Sequence, residues 1–393
     1  MKALDSHLLR TGVASFWNYS GRLVGLGWTF ALIHQLGIGS YGQYAIAVAT
    51  AAIVNAGIDN AFFVRSLRLD DVRYRRERCA RVLFGAVVAV AGVVGFTMSF
   101  VVGFAVMVAA GELLFNTYKS HLLREGRPDI AMRYDAVRQI ASIGLGASYL
   151  YAAQAPSLST AGALYVLPYL VVVGACLRYI PGQVPAFPGG PKEFALLSFE
   201  ALAAALYAQG DVVVIGWVAG DEVAGYYSVA LVAALAVSTI GQNYANTYLE
   251  QIRAAGGHVS GAPAVRDVVK VGLLTGGSMA AIGIGILLWG GADYTGHIAL
   301  ILSLFVVARA VNHSFIVVLF VQKRDAFRVK ATVAVALAKL AALALLVGPL
   351  GGYGAAAACV VCEAALLIVY YRAVHGTATT LPTDLPHQDK VAR

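Results

Sequence analysis

Residues 65–81 read Arg-Ser-Leu-Arg-Leu-Asp-Asp-Val-Arg-Tyr-Arg-Arg-Glu-Arg-Cys-Ala-Arg, with seven arginines between two long apolar runs. One run, residues 41–64, precedes it. The other is nearly continuous from Cys79 to Phe115. A bilayer-crossing chain marks its cytoplasmic loops in this way, because Lys and Arg accumulate on that side.

Composition agrees. Of 393 residues, 59% are hydrophobic and only 13% charged, with mean hydropathy +0.72. A soluble domain carries about 25% charged residues. Half that charge cannot cover a water-facing surface, which excludes soluble enzymes, nucleic-acid binders and disordered chains. The excess of 29 Lys+Arg over 21 Asp+Glu reads as loop charge, not as a nucleic-acid footprint. Cys79, Cys176, Cys359 and Cys362 are too scattered for a disulfide framework. Cys359 and Cys362 form a CxxC inside an apolar run without a nearby His, and read as helix packing, not a metal site. No short apolar core precedes a small-residue cleavage site, so no cleaved signal peptide is expected. Neither GxxxxGK[ST] nor HExxH occurs, so nothing supports ATP hydrolysis or zincin chemistry.

A membrane-crossing helix needs about 20 mainly apolar residues. Twelve stretches qualify: 11–35, 41–64, 80–96, 98–118, 131–153, 159–178, 194–218, 223–248, 268–290, 297–320, 329–349 and 353–373. Only Thr97-Met98-Ser99 hints at a break between the third and fourth. Charge placement tests the count. With a cytoplasmic N-terminus, loop 65–81 is joined on its side by Lys119, Arg124 and Arg127, then Arg178 and Lys192. Arg253, Arg266 and Lys270 follow there, then Lys323, Arg324 and Arg328. The opposite loops hold no Lys or Arg, only Asp221, Glu222 and Asp293. A miscounted span would invert every later loop. The expected fold class is an all-α polytopic membrane protein of about 12 transmembrane helices, with both termini cytoplasmic. Its external loops are too short for a catalytic domain.

The Pro- and Gly-rich segment 181–192 reads as a cytoplasmic linker between an N-terminal six-helix lobe, 1–180, and a C-terminal one, 193–375. The tail 376–393 is polar and is expected to be disordered. A shift of 183 residues carries Gly42-Gln43-Tyr44-Ala45 onto Gly225-Tyr226-Tyr227-Ser228, and Asn55, Asp59 and Asn60 onto Ser238, Gln242 and Asn243. Six spans per half give both halves the same orientation, the parallel repeat of transporters with a substrate site near the midplane.

Ionisable groups inside spans normally face protein or a wet cavity. In span 1, Ser15, Asn18, Arg22, Gly25 and Thr29 share one helix face, with Arg22 mid-span. Arg22 reads as a cavity cation for an anionic group or as half of a structural ion pair. Asn55 and Asp59 in span 2, Glu200, Tyr207 and Asp211 in span 7, and Ser238, Gln242 and Asn246 in span 8 are likewise one-face sets. They suit a sugar-lined cavity, or serve as polar glue between helices. Arg309 lies mid-span 10 with His313 one turn on, either a titrating group or a packed one. Lys339 and Glu363 lie at similar depth in spans 11 and 12, as a structural salt bridge or an ion-coupling relay. Arg133, Asp135 and Arg138 occupy the inner part of span 5, and Arg138 is deep enough to pair with Glu112 of span 4.

Two stretches carry a family resemblance. One is Leu36-Gly37-Ile38-Gly39-Ser40-Tyr41-Gly42-Gln43-Tyr44. The other runs from Asp211 to Gly216 and on through Val223-Ala224-Gly225-Tyr226-Tyr227-Ser228. Both resemble the polysaccharide-biosynthesis (Wzx-type) flippases of the multidrug/oligosaccharidyl-lipid/polysaccharide exporter superfamily. The twelve spans and two lobes extend the likeness over almost the whole chain. The resemblance implies a monomeric, non-enzymic, cofactor-free transporter of the bacterial cytoplasmic (inner) membrane. It would move a polyprenyl-diphosphate-linked oligosaccharide, a cell-envelope polysaccharide precursor, to the outer leaflet by alternating access, beside other polysaccharide-assembly proteins. It also implies Arg22 and Arg309 as cavity cations, with Asp59 and Asp211 as the acidic positions near them. The chain lacks the two extra C-terminal spans of the peptidoglycan-precursor flippases, which counts against lipid II as cargo.

The chemistry is consistent. A diphosphate cannot cross hydrocarbon bare, and Arg offers a permanently charged fork for its oxygens. Without an ATP site, net transport needs an ion gradient, the membrane potential or removal of product. Asp59, Glu112, Asp211 and Glu363 are the titratable candidates for coupling. Three other readings stand beside this one: an exporter of drugs or small organic cations, which wants an acidic cavity; a membrane-embedded glycosyl or lipid transferase; and a scaffold for envelope-synthesis enzymes.

Overall fold

In the apolar run from Cys79 to Phe115 the chain breaks at Ser99, whose backbone is extended (φ −161°, ψ 149°). Its N–H closes the preceding helix on Gly95 O, and its hydroxyl accepts from Val102 N to start the next. One residue thus caps both helices, and a single long helix is avoided. The computed structural model describes the backbone of residues 2–376. It describes their side chains except those of residues 2–16, Asn18, Tyr19, Arg22 and Pro128. The expected tail therefore falls outside the described residues from position 377 on, as do the side chains of Asn18 and Arg22.

The described chain is helical almost throughout: α1 Lys2–Ser66, α2 Asp71–Met98, α3 Phe100–Arg124, α4 Pro128–Ala152, α5 Leu158–Leu177 and α6 Pro191–Val218. Then come α7 Asp221–Thr247, the short α8 Leu249–Ala254, α9 Val265–Trp289, α10 Asp293–Val321 and α11 Asp325–His375. Nine described helices are long and apolar enough to cross a membrane by length and composition, with α7 and α8 counted as one. Two are too long for one straight crossing. α1 bends at Gly37 (φ 82°, ψ 168°) and α11 at Gly351 (φ 56°, ψ −132°), backbone angles that a side chain would oppose. Large apolar side chains stand uncovered by protein along the helices, among them Phe30, Val171, Leu288 and Trp289. Water would not tolerate such surfaces and lipid does. The protein is a multi-pass membrane protein.

One expectation is corrected here. The arginine-rich stretch is mostly helix, not loop. Asp70 accepts from Val72 N and Arg73 N and starts α2 at once, so Arg73 through Arg81 lie on its first turns. The carboxylate held by these N–H groups, that of Arg73 foremost, titrates below the usual aspartate range.

The chain divides into two compact units. One holds the described residues up to Ser228 together with Leu340–Ala355; the other holds Val229–Lys339 and the described residues from Ala356 on. The borders fall inside α7 and α11. Within the first unit the second limb of α1 packs along α6: Asn60 Nδ2 donates to Leu197 O at 2.8 Å. The two repeat motifs meet in this unit. A Cβ on Gly42 would overlap Asp221 O, and one on Gly225 would overlap Ile38 O. The 183-residue shift that carries Gly42 onto Gly225 also carries Ile38 onto Asp221. The repeat is therefore realised as a reciprocal contact in which each glycine clears room for the other copy's backbone. Gln43 Nε2 donates to Asp221 Oδ2 at 2.8 Å and reinforces it.

Candidate functional site

Among the described residues, charged groups inside the helices form several clusters, among them two in the first unit and one in the second. The first joins α1, α2 and α3. Asp59 is buried, and Arg81 Nε and Nη2 both donate to its Oδ1, the Nε at 2.7 Å. Asn116 Nδ2 donates to the other oxygen at 2.8 Å. Both carboxylate oxygens are answered and both charges are covered, as a buried ion requires. Asp59 is thus engaged in a helix-to-helix pair with Arg81 and Asn116. Asn55, one turn away, has a buried Oδ1 with no hydrogen-bond partner. Arg81 had been counted with the loop charges. Asn116, four residues beyond Glu112, carries a signal that was available: polar groups at helical spacing within an apolar span.

The second cluster joins α3, α4 and α5. Arg138 Nη2 reaches Glu112 Oε1 at 3.1 Å and Asp135 Oδ1 at 2.9 Å. Its Nη1 donates to Tyr169 Oη at 2.6 Å, and that hydroxyl donates to Glu112 Oε1 at 2.5 Å. Lys119 Nζ closes the far side on Asp135 Oδ2 at 3.3 Å. Two cations and two carboxylates balance, with Arg138 resting over the rings of Phe115 and Tyr169.

On α6, Asp211 is buried and accepts from Tyr227 Oη of α7 at 2.6 Å. Tyr207, one turn before it, is half-buried. Near the α1 terminus, Arg65 bridges Glu77 of α2 at 2.7 Å and Glu193 of α6 at 2.5 Å, a clamp across three helices.

The third cluster lies in the second unit on α10 and α11. Glu363 is buried, and Asn312 Nδ2 donates to its Oε1 at 2.8 Å and to its backbone oxygen at 3.0 Å. Arg309 Nη1 stands 3.5 Å from Glu363 Oε2, with 23% of its side chain uncovered. Its guanidinium lies 5.4 Å from the Phe305 ring centroid. Asn312, three residues beyond Arg309, was missed in the sequence although the spacing put it on that face. Lys339 is buried on α11, and His313 is half-buried one turn from Arg309. Gln242 and Asn246 are exposed on α7. No group of His, Cys, Asp and Glu among the described residues could hold a metal, and the four cysteines are buried and form no disulfide.

No protein-family model matches the chain, and no curated protein matches it. Solved structures do. The lipid II flippase MurJ in an inward-closed conformation aligns with TM-score 0.70 at 14% identity, covering 92% of this chain and 87% of that one. An inward-facing multidrug-resistance MATE transporter of the MOP superfamily aligns with TM-score 0.63 at 12% identity, over 92% and 96% of the two chains. The MATE multidrug transporter DinF-BH aligns with TM-score 0.54 at 14% identity, over 93% of each. The chain has the MOP-exporter fold. The Wzx-type resemblance is consistent with this fold. Identities this low speak for the MOP-exporter architecture alone, and fold does not fix cargo.

Proposed function

We propose that this protein is a flippase. It carries a polyprenyl-diphosphate-linked oligosaccharide across the bacterial inner membrane by alternating access, crossing twelve times with both ends cytoplasmic. Each limb of α1 and α11 counts as one crossing. The observation that carries the reading is Arg309: a guanidinium inside a membrane helix, partly uncovered, with its carboxylate at the outer limit of contact. Such a cation can exchange a protein carboxylate for a diphosphate oxygen while Asn312 keeps its hold on Glu363. Arg22, mid-span in α1 by sequence, would be its counterpart. Coupling to an ion gradient would fall to Glu363, which shares Arg309, or to Asp211.

The MATE neighbours support a second reading, export of small organic cations. The two readings part on the sign of the cargo. Leaflet transport of a polyprenyl-diphosphate oligosaccharide in proteoliposomes, wild type beside Arg22→Ala and Arg309→Ala, separates them. Transport by wild type and its loss in both folded variants is expected. Export of organic cations with no movement of the lipid would overturn the flippase reading.

A further inference from the structure

At the end of the first unit where α2 begins and α3 and α5 finish, a polar bowl of about 370 Å³ is lined by Asp71, Tyr74, Arg75, Arg78, His121, Arg124 and Glu125. Two carboxylates sit on it: Asp71 is paired with Arg124 at 2.7 Å, and Glu125 lies 3.2 Å from the His121 ring. Arg75 and Arg78 have no carboxylate in salt-bridge range among the described residues. Arg78 lies on the Tyr179 ring, 3.8 Å from its centroid, with Tyr74 at 5.0 Å. Its Nε and the hydroxyl of Tyr74 are buried without a hydrogen-bond partner. A stacked, oriented guanidinium with no carboxylate partner suits an anion.

Beside Tyr179 a second cavity, about 330 Å³, runs between α3, α4 and α5. Its walls are apolar, including Val137, Pro168 and Val171, and Val171 is 76% uncovered toward the bilayer. Arg178 lies against it, also without a carboxylate partner among the described residues, and donates to Tyr179 Oη at 3.0 Å. The buried Tyr179 ring is shared by Arg78, which lines the bowl, and Arg178, which lines the groove.

We propose that this pair of cavities is a binding site for one anionic phospholipid of the surrounding bilayer. The acyl chain lies in the α3–α5 groove, and the phosphate is held by Arg78, Arg75 and Arg178. Three features choose this occupant. The groove opens sideways to lipid, so its occupant arrives within the membrane. The head site is net cationic: Arg75 and Arg78 outweigh Glu125, and Asp71 and Arg124 cancel each other. The orientation proposed above places it in the cytoplasmic leaflet, where anionic lipids gather at basic side chains. The site does not depend on which cargo the protein carries.

Native mass spectrometry of the full chain in detergent, with phosphatidylglycerol or phosphatidylcholine added, tests it. Wild type should hold phosphatidylglycerol preferentially. Arg78→Gln with Arg178→Gln should lower that adduct about tenfold, the worth of one charge-assisted bond, and leave phosphatidylcholine unchanged. Arg78→Lys should restore part of it. Val171→Trp, which fills the groove and touches no charge, should lower both adducts. Should the double variant fail to fold, Arg75→Gln, exposed on the rim, and Val171→Trp carry the same test. Unchanged phosphatidylglycerol binding in the charge and groove variants would overturn the proposal. So would displacement by inorganic phosphate at equal concentration, or displacement by a polyprenyl phosphate, which would make this a site for the carrier lipid.

Discussion

Two of the ion pairs that cross between membrane helices are built differently. In the first unit Arg81 and Asp59 have 2% and 5% of their side chains uncovered, and Asn116 answers the remaining oxygen. In the second, Glu363 is as deeply buried, yet Arg309 is 23% uncovered and touches it at 3.5 Å. The same chemistry therefore serves two ends. A closed pair costs desolvation on both sides and returns helix alignment, because neither charge can leave without stranding the other. An open pair leaves its cation able to change partners. Inside a membrane, exposure of the guanidinium separates a fastening from a binding group better than the presence of a charge does.

The sharpest way to break this comparison is to remove the two arginines in parallel. Arg81→Met should cost about 3–5 kcal/mol, the penalty for an orphaned buried carboxylate. Asp59→Asn combined with Arg81→Met should recover much of it in a double-mutant cycle. Unfolding in detergent gives both numbers, and a stable single variant would end the distinction.

Arg309→Met should cost only about 1–2 kcal/mol, since Asn312 still holds Glu363. Transport of the anionic cargo should nevertheless fall at least about tenfold. Proteoliposome assays at matched protein folding check this, and intact transport would reclassify Arg309 as structural.

A smaller effect is expected of Glu363→Gln. The amide keeps a carbonyl oxygen for Asn312, so stability should change by less than about 1 kcal/mol. Arg309 is released, and its affinity for the cargo headgroup should rise. If the response to a proton gradient is unaltered in this variant, Glu363 is not the coupling group.

The smallest effect concerns the start of the helix that carries Arg81. Asp70 has a depressed pKa in the folded protein, so its capping contribution is present above the unfolded aspartate value. It is lost as pH falls through the lower, folded value. Asp70→Asn keeps a capping oxygen and should flatten that acid limb, whereas Asp70→Ala should remove the cap at every pH. A pH series of thermal unfolding reads all three.

Much of this architecture is legible in the residues. The break at Ser99 follows from a polar residue inside an apolar run, and the bend at Gly37 from a glycine between two spans. Asp59, Asp211, Arg309 and Glu363 stand out because ionisable groups are rare in hydrocarbon. The partner of Asp59 did not stand out. Arg81 sits among six other arginines, and local density made it look like one more loop charge. The early start of α2, set by the Asp70 cap, puts it about three turns into the helix, facing Asp59. Asn116 and Asn312 were within reach, since each lies one helical turn beyond a charge already singled out.

Periodicity, apolar length and punctuation are local properties, so the sequence by itself determined the helices, their breaks, the membrane setting and the repeat. Pairing is not local. Arg81 and Asp59 lie on different helices, as do Arg309 and Glu363, and nothing in their spacing says which contact is closed and which open. That was decided by how far each helix covers its neighbour's charge, a matter of packing that exists only once the chain has folded.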